Sequence, residues 1–493
     1  MSKVRRPRMA AIVSAAIAGM CSIAAAADQP TTQPTVPPAG DVASEISALR
    51  ARIDQLEKQQ KDQEIKQQQA AEQATVSSVM KDADGHSKMF DNVGISAGYK
   101  DNRFFIGSDD GNFTLRPWYH LQIRYVANWR EDAKPGNRDD TQTGFEIRRM
   151  KIGLDGNMFS PDFTYLFNWA TSRANGTATV TNSSGATIGT VSNSLGGVPI
   201  LEEAWVKYHF HETPWYIKAG QIKDPLLHDQ ITSSKYQQSA ERSLTADVFA
   251  NGDAFTEGAT VIFDPKTFVR VEAGVNHGMR SANTNFQDPP ANAYNFGVAG
   301  RAEFKLMGRW QDYDQVGAVN TKERLFVVGI GADSSQRGDA TQTVGVVDAM
   351  YGSPSGLNFY GAFVDRYTNH NFGFQTQSAT GASISTPPAS VANKPTNEYS
   401  AMLQGGYIIN KLVEPFGRYE YMHVEGTPAG SNNYIQVITA GVNWYFVGHR
   451  AKLTFQAQYL PKGIPFADGA SDLLTSTNSR SELVGEVQFQ LLI

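Results

Sequence analysis

The chain is almost without cysteine. Its single thiol, Cys21, falls in the N-terminal leader described below, so the remainder can build neither a disulfide framework nor a thiolate site. Long apolar runs are missing too. Hydrophobic residues make up 41% of the chain and its mean hydropathy is −0.37, whereas a spanning helix needs about 20 consecutive apolar residues. This excludes a polytopic helical membrane protein. It does not exclude a membrane β-barrel, whose strands are only half apolar. Nor is there a basic excess. The net charge is −5 and no basic stripe is interleaved with aromatics, so no nucleic-acid partner is expected. Walker, zincin and nucleophile-elbow motifs are lacking; no enzymatic activity, metal or cofactor is expected.

What is present begins with a leader. Lys3, Arg5, Arg6 and Arg8 precede an apolar run from Met9 to about Ala24, and Ala25-Ala26-Ala27 offers a small-residue cleavage site before Asp28. Residues 1–27 therefore read as a secretory signal peptide. Its removal takes four basic residues with it and the net charge falls from −5 to −9. Residues 28–40, rich in Pro, Thr and Gln, read as an extended linker. In 41–80, Ile46, Leu49, Ile53 and Leu56 stand at heptad spacing. Gln60, Gln63 and Gln67 then take over the core positions. That is a short helical segment with two heptads of coiled-coil pattern, or a solvated helical spacer.

From residue 93 the pattern changes to alternation. In FTLRPWYHLQIRYVANWR (113–130) one set of residues reads Leu115, Tyr119, Leu121, Ile123, Tyr125, Trp129, and the other Arg116, His120, Gln122, Arg124, Asn128, Arg130. One face is apolar with aromatic ends; the other is cationic. A soluble sandwich and a membrane barrel can both use such a strand. Its length favours the barrel, since tilted spanning strands need about 9–11 residues. About sixteen such segments follow one another, beginning near 113, 143, 161, 200, 214, 255, 267, 292, 323, 342, 356, 396, 412, 432, 450 and 480.

The connections decide between the two. Short turns at SPD, HETP, DPK, SPS, NK and GH alternate with long polar stretches at 131–142, 174–199, 225–254, 278–291, 369–395 and 461–479. Membrane barrels sort their loops in this way, short on the periplasmic side and long outside. The connection at 306–322 breaks the rule, being long where a short turn is expected. The expected fold is an all-β outer-membrane barrel of about 16 antiparallel strands over 93–493. In the segment 145–155 the alternation slips phase, because Phe145 and Ile147 are odd while Met150, Ile152 and Leu154 are even. A β-bulge near Arg148-Arg149 is expected.

Three stretches resemble one family. FEIRRMKIGLDGNMFSPDFTYLFNW (145–169), LEEAWVKYHF with WYIKAGQIKDPL (201–226), and SSKYQQSAERSL (233–244) look like motifs of the phosphate-selective porin O/P family of outer-membrane proteins. The resemblance covers roughly 93–493. It implies a sixteen-stranded barrel, a homotrimer in outer-membrane lipid, and a third long loop, here 225–254, folded inward to narrow the pore.

Pores select anions by lining themselves with Arg or Lys. The alternation turns Arg116, Arg124, Lys207, Arg270 and Arg301 inward, and the bulge adds Arg148, Arg149 and Lys151. Guanidinium groups hold phosphate oxygens bidentately. Each of these cations could instead neutralise a carboxylate such as Glu146, Asp155, Glu203 or Glu272. The inward loop offers Lys223, Lys235 and Arg242 against Asp224, Asp229, Glu241, Asp247 and Asp253, an acidic balance. Glu241-Arg242 reads as a pair that pins the loop to the wall. His209 and His211 read as interfacial rather than metal-binding, and GDAFTEG (252–258) as a loop rather than a glycosidase site. Many such barrels end in an aromatic residue. This one ends in Ile493, with Phe489 nearby. Two functions remain: a porin for small hydrophilic solutes, anions such as phosphate among them, or a structural barrel tied to the cell wall or a partner through 41–80.

Overall fold

In the computed structural model the chain divides into two units, 1–82 and 83–493. The described residues are 52, 55, 94–100, 103–131, 141–171, 176–181, 187–193, 199–250, 252, 255–279, 281, 294–370, 375–378, 381–384, 393–425, 433–464, 471–474 and 480–493. The expected signal peptide and linker, Asp253 and all but two residues of the expected helical segment 41–80 lie outside them. No described helix is long and apolar enough to cross a membrane.

The second unit is a closed barrel. A short hairpin comes first, β1 (Ile95–Lys100) and β2 (Arg103–Ser108). The barrel strands follow: β3 (Thr114–Arg130), β4 (Thr141–Met158), β5 (Ser160–Thr171), β8 (Pro199–His209), β9 (Trp215–Ile222), β10 (Thr256–Phe263), β11 (Val269–Asn276), β12 (Phe296–Met307), β13 (Leu325–Arg337), β14 (Ala340–Gly352), β15 (Leu357–Thr368), β18 (Thr396–Tyr407), β19 (Val413–His423), β20 (Tyr434–Tyr445), β21 (Ala451–Leu460) and β22 (Glu482–Leu492). Two small hairpins sit within long loops, β6 (Gly176–Thr181) with β7 (Thr187–Asn193), and β16 (Gln375–Ser378) with β17 (Gly381–Ile384). Each barrel strand pairs antiparallel with the next, and β22 pairs with β3 from Glu482 opposite Arg130 to Leu492 opposite His120. Closure leaves no free edge, as lipid demands of a β-structure.

Sixteen barrel strands form where alternation placed them, each within four residues of its expected start. The outer face carries Ile123, Ile147, Ile152, Val261, Val298, Ile330, Val347, Leu403 and Val442, all exposed. Exposed aromatics gather at both rims. Phe159, Trp215, Phe268 and Phe446 stand beside the short turns, and Trp129, Phe145, Phe296, Tyr367 and Tyr434 beside the long loops. This is the lipid band with its two girdles. The turn at Gly338 shows that a connection on the long-loop side can also be tight: Arg337 pairs directly with Ala340, and Gly338 takes φ +59°.

The expected bulge is there. Gln122 faces Arg149 and Ile123 faces Ile147, which leaves Arg148 as the extra residue and turns it inward beside Arg149. On the same strand Gly153 lies under Trp118; a Cβ there would stand 2.1 Å from the indole. Gly153→Val is expected to push Trp118 off the wall and lower the barrel's unfolding midpoint, by about 1–3 kcal/mol for an overpacked site. A denaturant melt with an unchanged midpoint would refute this.

One regularity fails for a physical reason. The inward face of a porin strand is expected to be polar, yet β14, β15, β18, β19 and β20 turn Val344, Val346, Val364, Met402, Met422, Ile435 and Val437 inward, all buried. They are covered by Leu226, Leu227, Leu244, Ala246, Val248 and Phe249, which lie between β9 and β10. Burying each of the larger apolar side chains contributes about 1.5–3 kcal/mol, so this half of the barrel has a dry core. The long connection at 308–324 is the other exception to loop sorting. It carries a helical turn, Trp310–Tyr313, and enters the barrel: the Val316 N–H donates to the Tyr236 carbonyl at 3.0 Å, and Tyr313 stacks on His228 at 3.9 Å.

Candidate functional site

The described residues of 223–255, between β9 and β10, lie within the lumen. Among them the backbone has no sheet partner, and their polar groups bind the wall. Gln238 donates to Asn358 and Glu414 at 2.8 and 2.6 Å, Ser239 to Gln456 at 2.7 Å, and the Thr245 N–H to Glu420 at 2.9 Å. From the wall, Arg366 donates to the Val248 carbonyl, Asn443 to the Gln238 carbonyl and Lys452 to the Gln237 carbonyl, at 2.7, 2.8 and 2.9 Å. These partners lie on β15 to β21. The segment therefore packs against that half of the barrel.

Its acids are turned into the wall as well. Glu241 is 2% exposed and accepts from Arg124 at 2.8 Å, from Arg149 at 2.7 Å and from Arg148. Arg124 is fully buried and also meets Glu146, Asp472 and Glu486 at 2.5, 2.6 and 3.1 Å. Arg301 donates to the Leu226 carbonyl at 2.8 Å and forks onto Asp348 at 2.7 and 2.8 Å. For Arg124, Arg148, Arg149 and Arg301 the structure places carboxylates in contact. Arg242, set beside Glu241 in the sequence, points elsewhere and donates to the carbonyls of Asp229 and Thr232 at 3.2 and 2.6 Å. Asp229 accepts from Ser243 at 2.7 Å.

Open space remains between this segment and β3 to β12. Two cavities of about 660 and 630 Å³ occupy it, and Glu203, Trp205, Lys207, Lys223 and Tyr236 line both. The first is also lined by Arg103, Arg116, Lys151, Lys235, Arg242 and Arg450. Arg116 pairs with Asp155 at 2.8 Å and Lys151 with Glu202 at 2.6 Å. Arg103, from the β1–β2 hairpin, also pairs with Asp155. The second holds Arg270, paired with Glu303 at 2.6 Å, and Lys218, paired with Glu272 at 2.5 Å. Glu202 thus takes the place expected of Glu203.

Two lysines differ. Among the described residues, Lys207 and Lys235 make no ion pair. Lys207 stands between two rings, 5.9 Å from the centre of Trp205 and 5.5 Å from that of Tyr216. Lys235 lies 3.0 Å over Trp118. Burial lowers the Lys235 ammonium to about 7, with Arg103 and Lys151 acting in the same direction. Lys223 donates to the carbonyls of Gln230, Ile231 and Thr232 at 3.1–3.3 Å.

Lys218 and Arg103 were not singled out in the sequence. The alternation of WYIKAGQI puts Lys218 on the inward set; Arg103 precedes the first barrel strand and carries no such signal. His209 and His211 both meet Asp162, at 2.8 and 2.9 Å, and no metal-binding group of three His, Cys, Asp or Glu occurs among the described residues.

The chain is similar to several solved outer-membrane channels. Salmonella typhi OmpF, in complex with daunomycin, is 14% identical with a TM-score of 0.46, covering 78% of this chain and 99% of that one. The anion-selective porin from Comamonas acidovorans is 10% identical at 0.48, covering 77% and 99%. The channel DcaP of Acinetobacter baumannii is 10% identical at 0.46, covering 77% and 97%. No curated protein matched. The family model for phosphate-selective porin O and P matches residues 122–463. With sixteen closed strands around a partly filled lumen, the chain belongs to that family and is a multi-pass outer-membrane β-barrel porin.

Proposed function

We propose that the lumen passes small anions, phosphate among them, along Arg116, Lys151, Lys207, Lys223, Lys235 and Arg270. The observation that carries this is the lining of the first cavity: eight basic side chains against Asp155, Glu202 and Glu203. The acidic balance of the inward loop does not oppose it, because Glu241 and Asp229 face the wall or the loop's own interior while Lys223 and Lys235 line the passage. Arg124, Arg148 and Arg149 then hold the constriction rather than line it, while Arg301, bound to Asp348, is part of the second cavity's wall. The function is that of a channel and not of an enzyme, and the family's trimer is carried over with it. The open cavities favour conduction over a purely structural barrel.

The test is the reversal potential of the purified protein in a planar bilayer under a KCl gradient. An anion-selective potential is expected; a cation-selective or unselective one overturns the reading. The potential is also expected to depend on pH. Lys235 titrates near 7, so it is charged below that value and neutral above it. Anion selectivity should fall as pH rises from 6 to 8, and Lys235→Arg, whose guanidinium stays charged, should abolish that fall. A selectivity constant across the range in the unaltered protein counts against this role of Lys235.

A further inference from the structure

We infer that the preferred solute of this passage is an organic anion that carries a flat or apolar part, such as an aromatic carboxylate, rather than a bare inorganic anion. The inference rests on the anion-channel reading and narrows its solute class.

Two lining cations that form no ion pair among the described residues, Lys207 and Lys235, are each set on an aromatic face. Lys207 has Trp205 and Tyr216 on either side, and Lys235 has Trp118 beneath it. Arg270, although paired with Glu303, lies 4.8 Å from the centre of Trp310 and 6.0 Å from that of Tyr313. Tyr165, Leu166, Tyr236 and Phe255 add apolar surface to the first cavity. A hydrated chloride or phosphate gains nothing from such surface, and apolar side chains facing a water-filled lumen cost free energy unless a solute covers them. These apolar and aromatic side chains stand among the cavity's eight basic and three acidic groups, and apolar surface set beside placed charges suits an organic anion. Its size agrees. Each cavity, of about 660 and 630 Å³ with Lys207 in the lining of both, lies within the range of about 300–1,000 Å³ typical of organic-ligand sites.

Phosphate is less well served. Stripping its hydration shell requires several donors with no competing acceptor. Here Arg103 and Arg116 share Asp155, Lys151 is held by Glu202 and Lys218 by Glu272. A monocarboxylate needs a single ammonium, and its ring can lie against the edges of Trp205, Tyr216 or Tyr236.

The experiment uses the full-length protein in a planar bilayer, with the chloride current titrated by benzoate, acetate and phosphate. Benzoate is expected to half-block at a concentration at least tenfold below that of acetate or phosphate. Trp205→Leu is expected to bring the benzoate value up to that of acetate. If the potential is anion-selective but benzoate blocks no better than acetate, or phosphate is the stronger blocker, the organic-anion inference fails alone. If the potential shows no anion selectivity and none of the three blocks, the anion-channel reading fails and takes the inference with it. A Tyr216→Leu variant separates ring loss at Lys207 from any misfolding caused by the change at Trp205; retention of full benzoate block in both variants overturns the site.

Discussion

Glu241→Ala is expected to raise single-channel conductance at least twofold. Glu241 is the point where the loop meets the bulged strand: one carboxylate, 2% exposed, receives Arg124, Arg148 and Arg149. Removing one partner of a buried pair costs about 3–5 kcal/mol, because the remaining charges stay desolvated and uncompensated. The barrel itself keeps its strand ladder and should still fold. The loop can respond, since it is joined to the wall by side chains and not by a sheet. Its far half remains fixed by Gln238 on Glu414, by Thr245 on Glu420 and by Leu244, Val248 and Phe249 in the apolar patch. The stretch around Glu241, whose neighbour Arg242 lines the first cavity, is the part that should shift and widen the passage. Glu241→Gln keeps the volume and one acceptor, so its conductance should change less than that of the alanine variant. A folded Glu241→Ala protein with unaltered conductance would show that the loop does not depend on this hub.

The second large effect concerns the two lysines on rings. Lys207→Glu combined with Lys235→Glu is expected to reverse the sign of the KCl reversal potential. Below pH 7, where Lys235 is charged, the exchange alters the lining by four charges at two lysines that make no ion pair among the described residues. A unit charge 4 Å from a permeating ion is worth about 4 kcal/mol at an effective dielectric of 20, and screening acts over about 8 Å at physiological salt. The reversal should therefore be clearest at low ionic strength and fade above 1 M KCl. The counterpart Arg124→Gln should leave the sign alone, because Arg124 is fully buried among Glu146, Glu241, Asp472 and Glu486 and does not face the passage. If Arg124→Gln abolishes anion selectivity while the double lysine variant retains it, the path assignment is the wrong way round.

These two predictions divide along the line between sequence and structure. Strand number, strand starts and the lipid face follow from alternation of period two, a local property that every strand writes into its own residues. The bulge was legible for the same reason: a phase slip between Ile147 and Met150 can only be absorbed by an extra residue, and Arg148 is that residue. The sorting of short turns and long loops marked the barrel and its outer side without any tertiary information.

Inside the lumen the sequence determines less. Alternation says that Arg124, Lys207 and Arg301 point inward, and it says nothing of what they meet there. Their partners come from strands and loops far along the chain: Glu241 is 117 residues from Arg124, and Asp348 is 47 from Arg301. Pairing at such separations depends on barrel closure and on the path of the inward loop. The same holds for the apolar inward stripe of β14 to β20, which looks misplaced until Leu244, Val248 and Phe249 cover it. It holds also for the loop's charge. Its residues sum to an acidic segment, but folding turns Glu241 toward arginines and leaves Lys223 and Lys235 on the passage. The sequence alone determined a membrane barrel with cations in its lumen. Only the tertiary structure decided which of those cations are spent on holding the constriction and which remain for a solute, because that depends on distances between groups the chain brings together only when the barrel closes.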